Sequence, residues 1–141
     1  MATDTTTKYR VFISHGSSDR WIAEQIREKL LSADIHAFLD EADIRIGDDF
    51  RAIILQEIRD CHDVLALLTP SSLSRAWVFA EIGAAAMAEK RVVAIWYGLT
   101  MEELHDRGIV SLIGDVALTD LNDMDAYVDA VISRAGDGID G

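Results

Sequence analysis

Short apolar runs alternate with longer helical patterns along almost the whole of this 141-residue chain. The runs are rich in β-branched and aromatic residues, which is the composition of β-strands. They lie at residues 9–14, 35–39, 64–69 and 91–97. Between the first two, Ile22, Ile26 and Leu30 recur at helical spacing. Strands that alternate with helices predict a parallel sheet with right-handed crossovers and helices on both faces.

The same patterns predict the remaining elements. They place helices over the stripe from Phe50 to Ile58, from about Ser74 to Lys90, from Thr100 to Arg107 and over Met124 to Ile132, with a short edge strand at 116–118. The segment 15–19 reads as a turn whose Ser and Asp side chains suit the cap of the first helix. The sequence thus predicts an α/β fold with a parallel five-stranded sheet. Ligands of such sheets bind beyond the carboxyl ends of the strands, so the loops after Ser14, Leu39, Thr69 and Tyr97 are candidate sites.

The formal net charge of −12 narrows the range of partners. An acidic surface repels phosphate backbones and anionic lipids, and no run of basic residues offsets it, so we expect neither nucleic-acid nor membrane binding. No apolar run approaches the roughly 20 residues that span a bilayer, and Met1–Thr7 lacks the features of a signal peptide. Cys61 is the single cysteine, which fits a reducing compartment and a small buried side chain at a helix end. We expect a soluble, cytoplasmic protein.

Domain organisation is predicted to be simple. We expect a polar N-terminal segment at residues 1–7, one domain at 8–135, and a frayed tail at 136–141. There is no internal repeat and no linker-like stretch within the chain. The length is sufficient for one domain with a substantial core.

Several well-known site motifs are missing from the sequence. There is no P-loop, no G-x-G-x-x-G after the first strand, and no G-x-S-x-G nucleophile elbow. The histidines lack the spacing of metal ligands, and the acidic segment 40–49 does not match an EF-hand loop, so no metal is expected. A response-regulator receiver domain would place acidic residues where this chain has Ser14-His15 and Thr69-Pro70.

Trp77 and Glu81 lie four residues apart on the predicted Ala-rich helix, so their side chains share one helix face. That helix starts just after the third strand, at the carboxyl end of the sheet. An aromatic ring there can stack on a base or a sugar, and a carboxylate can bind ribose hydroxyls and stabilise positive charge at an anomeric carbon. On spacing alone, a core Trp beside a solvated Glu is the more ordinary interpretation.

Four segments together resemble the Toll/interleukin-1 receptor (TIR) domain, in its bacterial form. The first strand with its Ser14-His15 ending resembles the first-strand motif of that family. The segment 38–48 resembles its second strand and BB loop, and 64–71 resembles its third strand with a Ser/Pro ending. Trp77 and Glu81 match the W-x-x-x-E segment. The resemblance implies a flavodoxin-like three-layer sandwich, the TIR fold.

The resemblance also implies an activity and a set of site residues. Many bacterial TIR domains cleave NAD to nicotinamide and ADP-ribose or a cyclic isomer, and several of them act in antiviral defence. NAD is then a substrate, and no cofactor is implied. Carried over by position, Glu81 is the catalytic carboxylate. The residues expected to bind the substrate are Ser14, His15, Gly16, Asp43, Arg45, Phe50 and Trp77. The first loop lacks the Arg that relatives often carry, which leaves phosphate contacts to Arg20, Arg45 or backbone N–H groups.

Other interpretations stay open at this point. His15 is either a pocket residue or a loop histidine without a role, and Arg45 contacts ligand, another subunit or solvent. The chain is alternatively a non-catalytic signalling module that works through TIR–TIR contacts of the BB loop at 41–49. Catalysis and self-association are compatible, and an effector that senses the product or a fused sensor are further expected partners. A nucleoside deoxyribosyltransferase-like enzyme is a third possibility.

Overall fold

The computed structural model describes residues 9–39, 50–72, 76–106 and 118–136. The strands are β1 (Arg10–Ser14), β2 (His36–Leu39), β3 (Asp63–Leu68), β4 (Arg91–Trp96) and β5 (Leu118–Asp120). The helices are α1 (Arg20–Ser32), α2 (Phe50–Asp60), α3 (Ala76–Met87), α4 (Met101–Asp106) and α5 (Met124–Gly136). Short 3₁₀ turns at Ser17–Asp19 and Leu121–Asp123 precede α1 and α5.

The strands form one sheet in the order β2-β1-β3-β4-β5, and every pair is parallel. Four strands have four to six residues, and the fifth is an edge strand of three. The predicted α/β architecture is therefore confirmed. The edge strand begins at Leu118, two residues later than the start of the predicted 116–118 strand, because its pairing with Ala94–Trp96 of β4 sets its position.

The core has two parts, one on each face of the sheet. On one face the buried side chains of α2, α3 and α4 pack on the sheet, against residues that include Phe12 of β1 and Phe38 of β2. On the other face α1 and α5 cover the sheet through residues such as Ile26 and Val131. Strand β3 is buried along its whole length, which explains its nearly continuous apolar sequence. Its central position in the strand order accounts for this burial, because helices cover both faces of the sheet there.

The amino end of the sheet is held by a buried carboxylate. Asp63 opens β3 and is fully buried. Its Oδ1 accepts a hydrogen bond from the Tyr9 hydroxyl and its Oδ2 accepts one from the Tyr127 hydroxyl, each at 2.8 Å. Arg91 Nε lies 3.7 Å from Oδ1, and Arg134 Nε donates to the Tyr9 hydroxyl at 3.0 Å. The group joins β3, β4, α5 and Tyr9, the residue directly before β1, and it supplies the partners that a buried charge requires.

Burial shifts several pKa values around this group. Desolvation raises the pKa of Tyr9, and it raises the pKa of Tyr127 well above the ordinary value. It lowers the pKa of His62, whose ring stacks on Tyr9 and whose Nδ1 accepts a hydrogen bond from the Arg10 backbone N–H. The same cause raises the pKa of Cys61 to about 12. Cys61 follows α2 and is buried, which confirms its prediction as a small core residue.

Candidate active site

Ser14 and Glu81, two of the residues singled out by sequence, meet at the carboxyl end of the sheet. Ser14 is the last residue of β1 and pairs in register with Ala66 of β3. Glu81 lies in the first half of α3, the helix that follows β3. The Ser14 hydroxyl donates a hydrogen bond to Glu81 Oε1 at 2.5 Å, and both residues are buried. Two of the predicted site residues, 67 positions apart in sequence, are thus in direct contact.

The burial of Glu81 is unusual for its residue type. Only 2% of it is exposed, although α3 is otherwise rich in Ala and buries Ile82 and Ala85 in the core. Glu is rarely buried to this degree unless it is paired, because desolvating a charged carboxylate is costly. On spacing alone, the more ordinary interpretation is a core Trp beside a solvated Glu. The structure shows that Glu81 is buried, so the interpretation is wrong for the Glu.

The loop after β1 contains the next two predicted residues. His15 is buried, with 3% exposed, and Gly16 is buried beside it. The carbonyl of Gly16 accepts a hydrogen bond from the Asp19 N–H at 2.9 Å. A Cβ added at Gly16 would lie 3.4 Å from the Cα of Ser72, so the two loops are in close contact at this point.

Asp19 connects that loop to the one after β3. Thr69 Oγ1 donates a hydrogen bond to Asp19 Oδ2 at 2.5 Å, and it accepts one from the Ser72 N–H at 3.1 Å. Ser72 Oγ lies 2.8 Å from the Thr69 N–H and 3.2 Å from the Thr69 carbonyl, so the contacts between these two residues are reciprocal. We refer to Asp19, Thr69 and Ser72 as the loop clamp.

The loop clamp corrects one expectation. Asp19 occupies the N-cap position of α1, but its side chain makes no capping hydrogen bond. The prediction that this aspartate caps the helix is wrong, because its carboxylate accepts from Thr69 instead. Sequence reasoning did not include Asp19, Thr69 or Ser72 in the site. The available signal was the position of polar residues directly after two strands of a parallel sheet.

The remaining predicted residues differ in how much can be said of them. Asp43 and Arg45 lie outside the described residues. Phe50 is the first residue of α2 and Trp77 is the second of α3, so Trp77 precedes Glu81 on the same helix as predicted. The contacts of these two side chains also lie outside the described part of the chain.

A cavity of about 520 Å³ lies on the other face of the sheet from α3. Its walls are mostly apolar and include Trp21, Lys29, Tyr97 and Met124. Of the predicted site residues whose surroundings the structure describes, namely Ser14, His15, Gly16 and Glu81, none lines it. Within the four described segments, no group of three or more His, Cys, Asp or Glu residues is placed to hold a metal ion. Of the described helices, none has the length and apolar character to cross a membrane.

Comparison with known protein families agrees with this architecture. The family model of the TIR domain matches residues 11–133. The match covers most of the 141 residues, and the chain therefore belongs to the TIR domain family. The resemblance predicted from sequence motifs is confirmed.

Similar proteins include named enzymes. The chain is 28% identical over 100 residues to a probable 2′ cyclic ADP-D-ribose synthase of Brachypodium distachyon, covering 70% of this chain and 45% of that protein. It is 26% identical over 106 residues to an NAD(+) hydrolase of a Theionarchaea archaeon, covering 72% of this chain and 32% of that protein. The chain spans less than half the length of these curated relatives.

Among solved structures, the TIR domain of a Toll-related receptor from Hydra magnipapillata is similar, with a TM-score of 0.66 at 18% identity. The match covers 95% of this chain and 100% of that one. At this level of identity, the likeness establishes the fold.

Proposed function

We propose that this chain cleaves the bond between nicotinamide and ribose in NAD, with Glu81 as the catalytic carboxylate. The products are nicotinamide and ADP-ribose or a cyclic isomer of ADP-ribose. The observation that carries the proposal is the buried Glu81 in contact with Ser14, at the end of a parallel sheet where ligands bind. Family membership and the names of the similar enzymes support it.

The chemistry requires little more than charge stabilisation. The bound nicotinamide is cationic, so it leaves as a neutral molecule that takes the electron pair of the glycosidic bond. Positive charge then develops at the ribose carbon, and a carboxylate in a dry site stabilises it strongly. Water completes hydrolysis, or a hydroxyl of the same molecule attacks to form a ring, and one proton is released in either case.

Each site residue has a proposed role in this reaction. Glu81 binds the nicotinamide-side ribose and stabilises the charge. Ser14 orients the carboxylate through its hydrogen bond of 2.5 Å to Oε1. His15 and Gly16 form one wall of the pocket. Asp43, Arg45, Phe50 and Trp77 are proposed substrate contacts on sequence position alone.

The burial of Glu81 has a consequence for activity. Because 2% of the residue is exposed, NAD reaches the carboxylate only after neighbouring groups move. An assembly of several copies is one way to stabilise such an open arrangement, since binding energy between copies offsets the cost of the movement. We therefore expect the turnover per molecule to rise with protein concentration.

A direct assay tests the proposal. Purified protein at high concentration is incubated with NAD, and nicotinamide and the ADP-ribose species are separated by chromatography and identified by mass. Glu81→Gln, which keeps the size of the side chain and removes its charge, is the matched control. Release of nicotinamide by the wild type alone supports the proposal, and the second product distinguishes a hydrolase from a cyclase. Absence of turnover even in crowded solution would refute it.

Self-association without catalysis is a second candidate function, and a separate observation favours it. Trp21 is 70% exposed and Tyr97 is 49% exposed, and both line the apolar cavity of about 520 Å³. Exposed aromatic residues around an apolar cavity are typical of contact surfaces. The BB loop at 41–49, the contact surface that the sequence suggests, lies outside the described residues. Trp21→Ala is expected to lower the sedimentation coefficient at high protein concentration if this surface joins copies.

A further inference from the structure

The loop clamp joins the loop after β1, the strand that ends at Ser14, to the loop after β3, the strand that precedes the helix of Glu81. We propose that Asp19 and Thr69 are positioning residues, and that their hydrogen bond fixes Ser14 and His15 relative to Glu81. This inference rests on the function proposed above. It adds two residues to the set of site residues that the sequence predicts.

The bond between these residues is built into the interior. Asp19 is 8% exposed and Thr69 is 4% exposed, so the hydroxyl and the carboxylate meet largely shielded from water. Thr69 Oγ1 accepts from the Ser72 N–H, which leaves its own proton directed at Asp19 Oδ2. Hydrogen bonds that are linked in this way and end on a carboxylate favour a single arrangement of the three residues.

The loop clamp contacts the residues next to the candidate site. The Asp19 N–H holds the carbonyl of Gly16 at 2.9 Å, and Gly16 packs against Ser72. Gly16 follows Ser14 and His15 immediately, so the clamp limits where β1 ends and how the loop continues. On the other side, Thr69 directly follows β3, the strand before the helix that carries Glu81. A shift between the two loops therefore changes the distance from Ser14 to Glu81.

A merely structural role is the alternative, and the molecule offers a matched control. Thr69→Val removes a hydroxyl that donates to the buried Asp19 carboxylate at the carboxyl end of the sheet. Tyr127→Phe removes a hydroxyl that donates to the buried Asp63 carboxylate at the amino end. Both changes delete one hydrogen bond to a buried acid, and both are expected to lower the melting temperature. Only the first change lies at the carboxyl end of the sheet, where Ser14 contacts Glu81.

The test compares kcat and KM for nicotinamide release in wild type, Thr69→Val, Thr69→Ser and Tyr127→Phe. Misplacement of reacting groups lowers kcat more than KM, so we expect Thr69→Val to lose roughly 10- to 100-fold in kcat. Thr69→Ser, which keeps the hydroxyl, restores most of it, and Tyr127→Phe leaves kcat unchanged. An unchanged kcat in Thr69→Val, or an equal loss in Tyr127→Phe, would overturn the inference.

A second readout separates this inference from the proposed function. Amide resonances of Ser14, His15 and Gly16 are measured in the same variants by NMR. If the wild type releases no nicotinamide, the proposed function fails. The resonances then still show whether the Asp19–Thr69 hydrogen bond positions Ser14 and His15. We expect them to shift in Thr69→Val and not in Tyr127→Phe, and unchanged resonances in Thr69→Val contradict the inference. If Thr69→Val does not fold, Asp19→Asn, of the same size, takes its place with the same expectation for kcat and resonances.

Discussion

Two buried carboxylates lie at opposite ends of the same sheet, and their surroundings differ. Asp63 sits at the start of a central strand, where both of its oxygens accept from phenol hydroxyls and Arg91 lies nearby. Glu81 sits on a helix at the carboxyl end, beside loops, and contacts the hydroxyl of Ser14. Residues within a central strand cannot move without disrupting the sheet, whereas loop residues can move while the sheet stays intact. The same chemical group therefore suits stability at one end and chemistry at the other.

The largest effect expected on stability is at the amino end. Asp63→Asn removes the charge that two hydroxyls and Arg91 surround, and we expect the free energy of unfolding to fall by about 2 to 3 kcal/mol. Urea denaturation measures this loss. The rate of nicotinamide release per folded molecule should not change. A large fall in that rate would break the division of roles between the two ends.

A smaller effect is expected from the partner of Glu81. Ser14→Ala removes the hydroxyl that orients the carboxylate, and we expect kcat to fall about tenfold, which corresponds to about 1.4 kcal/mol. Steady-state kinetics at saturating NAD provides the measurement. Ser133→Ala, on the exposed surface of α5, is the matched control and should retain full activity. If the two variants are equally active, Ser14 has no part in orienting Glu81.

Alkaline pH should affect the amino end specifically. Burial raises the pKa of Tyr127 above its ordinary value of 10.0, so the fold keeps the phenol protonated while the unfolded chain loses the proton. The stabilisation is complete below pH 10 and is lost as the pH rises further. Melting temperatures between pH 9 and about 11 should fall less steeply in Tyr127→Phe than in wild type. Parallel curves for the two proteins would argue against a raised pKa of the Tyr127 phenol in the folded state.

The smallest expected effect concerns acid conditions. Burial lowers the pKa of His62 from 6.5, and its Nδ1 accepts the Arg10 N–H only in the unprotonated ring. The unfolded chain takes up the proton first, so stability is present above pH 6.5 and decreases as the pH falls below it. His62→Asn should flatten the stability profile between pH 7 and about 5. A stability profile as steep as that of wild type would contradict the lowered pKa of His62 as the cause of the acid dependence.

Much of the fold could be predicted from sequence because its signals are local. The first four strands lie within one residue of their predicted positions, since β-branched runs bounded by polar turns are strong signals. The edge strand is only three residues long, and pairing with β4 decides its position. The third strand begins at Asp63, one residue earlier than predicted, and the two tyrosines that make burial of this carboxylate possible are distant in sequence.

The candidate site was predictable in part for the same reason. Trp77 and Glu81 have helical spacing, and Ser14 ends a clear strand pattern. All three positions are therefore predictable from local sequence. The Asp19–Thr69 bond joins residues 50 positions apart, and it exists only because β1 and β3 are neighbours in the sheet. Polar residues after two strands mark a candidate site, but nothing in the sequence pairs Asp19 with Thr69, and Asp19 matches an ordinary helix cap better than the contact it makes.

The most direct test of the central claim replaces each buried carboxylate by its amide and measures nicotinamide release per folded molecule. We expect Glu81→Gln to lose on the order of 10³-fold in rate, because the charge that stabilises the transition state is gone. Asp63→Asn should release nicotinamide at the wild-type rate although it is less stable. Equal rates in Glu81→Gln and wild type, or an equal loss in both variants, would contradict the assignment of chemistry to the carboxyl end of the sheet.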